Sequence, residues 1–104
     1  MKPRIDTDPE QRAEAENALF AAILTLRSVD ECRAFFKDLC TPAEMQAFVD
    51  RWAVVEPLSR GEPYRSIHDD TGVSVTTIGR VARFLTDGNG GYERVLRRLN
   101  RHDA

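Results

Sequence analysis

Residues 18–26 read ALFAAILTL, and only Thr25 interrupts a run that is apolar on every side of a helix. A helix of that kind must be covered on every side. The run is also far short of the roughly 20 residues needed to span a bilayer, so no membrane partner is expected. A chain of 104 residues supplies one modest core, too little to wrap this segment alone. A second copy is the natural cover, and a homodimer is the expectation.

The rest of the composition agrees with a folded helical protein. Ala, Leu, Arg and Glu abound while strand-favouring residues are few, which predicts an all-α fold. The opening residues MKPRIDTDPE hold Pro3 and Pro9 among charges and read as a loose arm over residues 1–8. Residues 9–104 are then expected to form a single helical domain. No apolar stretch follows the opening charges, so a secretory leader is not expected and the cytoplasm is the expected compartment. Cys32 and Cys40 stand eight apart, and His68 and His102 are the only histidines. That spacing does not suit zinc. Reduced thiols are expected, with no metal and no cofactor.

Local signals divide the chain into about six helices. Asp8 before Pro9 is a cap followed by proline at the first helical position, opening a helix through EQRAEAENALFAAILTL. Ser28 with Glu31 has capping-box spacing and opens a second, through VDECRAFFKDL. Thr41-Pro42-Ala43-Glu44 opens a third that reaches about Arg60, with a kink or early end expected at Pro57. Gly61 suits its C-terminal cap. Pro63 opens a short fourth helix with Tyr64, Ile67 and Thr71 on one face, and Gly72 breaks it. Ser74 caps a fifth through Leu85, with Ile78, Val81, Ala82 and Leu85 inward. After the turn DGNGG, a last helix from Tyr92 to Arg101 is expected to bury Val95, Leu96 and Leu99 and to expose Arg94, Arg97, Arg98 and Arg101. That arginine face reads first as a solvated surface and second as a flank for phosphates or a partner. On the third helix, Trp52 shares a stripe with Phe48 and Val55, which reads as core.

Residues 64–85 carry the functional signal. A helix-turn-helix needs two short helices at a steep angle with a tight turn between them. Gly72 sits where one residue must take a positive φ. Ile67, Val73, Ile78 and Val81 supply a small shared core. The second helix presents Ser74, Val75, Thr76, Thr77, Gly79, Arg80 and Arg83, a small and hydroxyl-rich tip that can approach base edges and phosphates. Arg65, on the preceding helix, is placed for a backbone phosphate. His68 departs from the pattern. It follows Ile67 where the two helices nearly touch and alanine is usual, so its imidazole is expected to slide outward.

Charge permits this reading. Residues 1–59 hold 7 basic and 11 acidic side chains, residues 60–104 hold 8 and 6, so the second part is +2 within a chain of net −2. A DNA-binding protein needs a basic face rather than a basic total. Catalysis is not expected. Asp69 and Asp70 are adjacent, about 100° apart on a helix, so they cannot face each other as an acid/base pair. GNGG lacks the lysine of a phosphate loop.

Three segments, CRAFFKDLCTPAEMQAFVDRW, YRSIHDDTGVSVTTIGRV and FLTDGNGGYERV, resemble the Trp-repressor family, most closely its YerC/YecD branch. The likeness runs from about Val29 to Leu99, and the Gly-Asn-Gly-Gly-Tyr turn is its most telling part. It implies an intertwined all-helical homodimer whose two recognition helices, about one DNA turn apart, read a roughly palindromic operator. It also implies a ligand pocket. Thr41 matches a threonine near the ligand, and Arg51 and Arg80 match two arginines that sandwich the indole of tryptophan. Val81, however, stands where the family has a glycine, and Phe84 where it has a ligand-binding serine. Both are expected to fill the indole space and make the pocket vestigial. Tryptophan is therefore not expected as corepressor, while another small ligand stays open. For Arg51 and Arg80, pairing with acids such as Asp50 or Asp38, or a place on the DNA face, stays equally open.

The expected function is that of a homodimeric, sequence-specific regulator of transcription acting on double-stranded DNA, as a repressor. The alternative is a helical dimer that keeps the fold for protein interaction and has lost specific DNA binding.

Overall fold

The computed structural model describes residues 8–103, with side chains through residue 101. The arm expected over residues 1–8 thus lies, apart from Asp8, outside the described residues. The chain divides into two compact units, Met1–Thr41 and Pro42–Ala104.

The first unit holds α1 (Pro9–Ile23) and α2 (Val29–Leu39). Asp8 caps α1 by accepting from the Glu10 amide at 3.0 Å. The helix ends three residues before the Leu26 expected from sequence. The amides of Thr25 and Leu26 bond to the carbonyls three residues back, Ala22 and Ile23, and the Thr25 hydroxyl donates to the Ala22 carbonyl at 2.7 Å. That tightening closes the last turn and stops propagation. Ser28 caps α2 by accepting from the Glu31 amide, while the Glu31 carboxylate accepts from the amide of Arg27 rather than that of Ser28. The box is therefore shifted by one residue on its return bond. Neither helix buries a single residue.

The second unit holds α3 (Pro42–Ala53), α4 (Val55–Ser59), α5 (Tyr64–Thr71), α6 (Val75–Asp87) and α7 (Gly91–Asp103). The expected third helix breaks at Val54, so six helices become seven helical segments among the described residues, with α3 and α4 the halves of one. The break lies a turn before Pro57 for a physical reason. Proline cannot donate to the carbonyl four residues back, which is that of Ala53, and its ring crowds that carbonyl. Pro57 itself sits in the first turn of α4, where no amide is needed. Gly61, at φ +77°, ends α4, its amide bonded to the Leu58 carbonyl.

Val54, Val55, Ile67, Val73, Ile78 and Val81 form the core, with Leu58, Leu85, Tyr92 and Leu96 packed against it. α6 runs through the middle of this unit and packs on α3, α4 and α5. Each fully buried Val or Ile contributes about 1.5–3 kcal/mol. Three expectations from sequence are corrected here. Trp52 and Phe48 are 39% and 46% exposed, so only Val55 of that stripe is core. Val95 and Leu99 are likewise about half exposed, and Leu96 alone of the α7 trio packs on the core. α6 outlasts Leu85 by two residues, and Gly88 caps it. A Cβ at Gly88 would collide with the Phe84 carbonyl, so the chain can leave α6 there only through glycine.

Candidate nucleic-acid interface and the adjoining cavity

α5, the turn at Gly72 and α6 form a helix-turn-helix unit whose turn is held at several points. Gly72 takes φ +75° and its amide bonds to the His68 carbonyl at 2.8 Å. A side chain in that left-handed region costs about 1–2 kcal/mol. The Thr71 hydroxyl donates to the Ile67 carbonyl and accepts from the Val73 amide, so one oxygen links the end of α5 to the turn. His68 does lie outward, and it also has a task that sequence reasoning missed. Its Nδ1 stands 2.7 Å from the Val73 carbonyl. A carbonyl only accepts, so Nδ1 must carry the proton and Nε2 is left for solvent while the ring is neutral. No local signal marks this bond, because it spans the turn.

Ser74 opens α6. Its Oγ accepts from the Thr77 amide at 3.1 Å and donates to the Thr77 Oγ1 at 3.1 Å. That order leaves the proton of the Thr77 hydroxyl free to point elsewhere. Of the residues expected at an interface, Arg65, Ser74, Val75, Thr76, Arg80 and Arg83 are exposed, and Thr77 and Gly79 are half-buried. Ile78 and Val81, on the opposite side of α6, are fully buried. The separation follows from helical period alone, since 78, 81 and 85 share one face and 76, 79, 80 and 83 another. A Cβ built at Gly79 meets nothing within 4 Å, so the chain's own packing does not require glycine there.

Among the described residues no carboxylate pairs with Arg65, Arg80 or Arg83. Arg60 differs: its guanidinium bonds Glu62 at 2.7 Å and Glu56 at 2.6 Å, and its pKa is raised, first by the hydrogen bond to Glu62. Those bonds remove Arg60 from the free positive charge of this unit. They leave the α6 arginines as charges available to an anion.

Beside Arg80 lies an open cavity of about 470 Å³, lined by Trp52, Arg80, Phe84, Asn89, Gly91, Tyr92 and Val95. Trp52 and Tyr92 lie side by side on its wall, with ring centres 6.4 Å apart and planes tilted by 37°. The Arg80 guanidinium lies over the Phe84 ring, 4.8 Å from its centre. Of the ligand residues that the family resemblance implied, Arg80 and Phe84 line this cavity. Val81 does not, which corrects the expectation that it fills the same space as Phe84. It shares the Ile78 face and is sealed in the core. Arg51 is half-buried on α3 and outside the lining, and Thr41 belongs to the first unit. Neither Arg51 nor Arg80 pairs with an acid among the described residues. Trp52, Asn89, Tyr92 and Val95 went unnoticed as a group, although Asn89 and Tyr92 sit in the turn that carries the family likeness.

The described residues hold no helix long and apolar enough to cross a membrane, and no group of three or more His, Cys, Asp and Glu able to hold a metal ion. Comparison with known proteins points one way. The family model described as Trp repressor protein matches residues 14–100. The uncharacterized protein YerC of Bacillus subtilis (strain 168) is 42% identical over 88 residues, 85% of each chain. A TrpR-like protein from Eubacterium eligens ATCC 27750 superimposes with a TM-score of 0.81 at 40% identity, covering 89% of this chain and 96% of its own. A protein from Staphylococcus aureus provisionally described as a Trp repressor gives 0.82 at 39% identity, covering 95% and 96%. With its helix-turn-helix unit, its all-helical build and a match over most of its length, the chain belongs to the Trp repressor family.

Proposed function

We propose that this protein is a sequence-specific DNA-binding regulator of transcription, a repressor, that acts as a homodimer and does not respond to tryptophan. One observation carries the reading: α6 buries Ile78 and Val81 while presenting a capped, hydroxyl-rich tip and two unpaired arginines on the other side. Thr76, Thr77 and Arg80 contact the major groove, and Ser74, Arg65 and Arg83 lie at the backbone flanks. Gly79 leaves clearance for close approach. Its absent side chain costs the helix about 1 kcal/mol, with no internal contact to explain it. Residues 9–104 act as one domain completed by its partner, and two copies of α6 meet a roughly palindromic operator. The unburied apolar residues Leu19 and Phe20 of α1, with Leu24 just beyond its end 84% exposed, support the dimer. Phe84 lines the cavity beside Arg80 where the family resemblance implies a ligand-binding serine, so no hydroxyl is offered there, and this supports the loss of tryptophan response.

Fluorescence anisotropy at near-physiological salt tests this, comparing duplexes from the protein's own upstream region with scrambled ones, with and without L-tryptophan. The expected result is a preference that tryptophan leaves unchanged, and a loss of about 1–3 kcal/mol on Arg80→Ala. Tightening by tryptophan would overturn the statement about the cavity. Equal, weak binding to both duplexes would favour the protein-interaction dimer instead.

A further inference from the structure

Arg80 and Phe84 stand one helical turn apart, and the guanidinium lies over the ring face rather than at its edge. A cation within about 6 Å of a ring centre is held there by the ring's quadrupole. No carboxylate competes with the ring for Arg80 among the described residues. Phe84, for its part, is not in the core cluster and is 39% exposed at the cavity rim. The ring therefore contributes little to the unit's own core. Its evident contact is the arginine. A free arginine has many rotamers and loses them on meeting a base; one already stacked on a ring has fewer to lose.

We propose that Phe84 is a positioning residue. Its ring fixes the Arg80 guanidinium in the absence of any ligand, and so sets how well α6 discriminates the base pair beneath Arg80 without a small-molecule effector. The inference rests on the DNA-binding reading above and deepens it by naming what orders the contact. Its chemistry separates ring from bulk. Leucine keeps an apolar side chain at position 84 but offers no π face, whereas tyrosine keeps the face.

The test uses the full-length protein and a duplex that wild type itself selects from a random pool, together with single-base-pair variants of that duplex. The Arg80 Nε–H resonance is recorded first, without DNA, in wild type, Phe84→Leu and Phe84→Tyr. The ring current of Phe84 should displace it in wild type, Phe84→Leu should move it to the position of a free arginine, and Phe84→Tyr should keep it displaced. Binding comes second. Phe84→Leu should lower discrimination at one base pair about two- to fivefold, and Phe84→Tyr should restore it. In an Arg80→Ala background the Phe84→Leu effect should vanish. An unmoved Arg80 resonance in Phe84→Leu, or equal loss of affinity for every duplex, would overturn the proposal. If wild type selects no duplex, the DNA-binding reading fails and the claimed consequence fails with it. The resonance arm, read without DNA, tells that outcome apart from failure of the Phe84–Arg80 contact.

Discussion

Residues 8–41 form two capped helices without one buried side chain, whereas residues 42–103 enclose six buried residues around α6. The difference does not lie in the supply of apolar side chains. α1 and its C-terminal cap carry Leu19, Phe20, Ile23 and Leu24, yet Phe20 is 55% exposed while Ile78 in α6 is fully buried. What differs is closure. In the second unit a helix break, a left-handed glycine and a short helix return the chain upon itself, so aliphatic faces meet. In the first, two helices and a turn offer no such return, and their apolar surface awaits a cover that the proposed second copy provides. The candidate interface is thus built where the chain supports itself, and the candidate dimer surface where it does not.

That contrast can be broken by matched truncations. Ile78→Ala should destabilise the second unit by about 2–5 kcal/mol in chemical denaturation, through lost burial and the cavity left behind. Phe20→Ala should leave that core unfolding unchanged and instead weaken self-association, seen by sedimentation equilibrium. Should both substitutions act alike on the core, the two halves do not differ as described. Next in size is the turn. Gly72→Ala places a Cβ at φ +75° and should cost about 1–2 kcal/mol, with no matching glycine at positive φ in the first unit among the described residues.

The smallest effect is the most telling in sign. Gly79→Ala should stabilise the free protein by about 0.5–1 kcal/mol, since α6 gains propensity and the added methyl meets nothing. The same change should weaken binding to a selected duplex. A stabilised variant with undiminished affinity would remove Gly79 from the interface.

How much of this was legible in the sequence depended on range. The caps at Asp8, Ser28 and Ser74 and the glycine at 72 were readable because each is a contact within a few residues, and the structure shows them. The separation of Ile78 and Val81 from Arg80 and Arg83 was readable because period alone decides it. The helix break was misplaced by a turn, as the cue at Pro57 acts on the carbonyl of Ala53. What stayed hidden depends on how elements pack. Trp52 fits a core stripe, yet it borders a cavity with Tyr92, 40 residues further along the chain. His68 fits poorly into the motif by residue type, and only the Val73 carbonyl across the turn explains why it is accommodated. The cavity residues come in short helical pairs, Arg80 with Phe84 on α6 and Tyr92 with Val95 on α7, but only packing brings those pairs to Trp52 on α3, so no pattern along the chain could have gathered them all.

The central claim is that two copies of this chain hold two α6 helices at a fixed spacing for one operator. It is tested most directly by the stoichiometry and spacing dependence of binding to a selected palindromic duplex. Anisotropy and sedimentation would be measured on that duplex and on one with five base pairs inserted at its centre. Half-sites about one turn apart lie on one face of the duplex, and the insertion turns one of them to the far side. The account predicts two chains per duplex and a fall to the affinity of a scrambled sequence after the insertion. One chain per duplex, or affinity indifferent to the insertion, would contradict it.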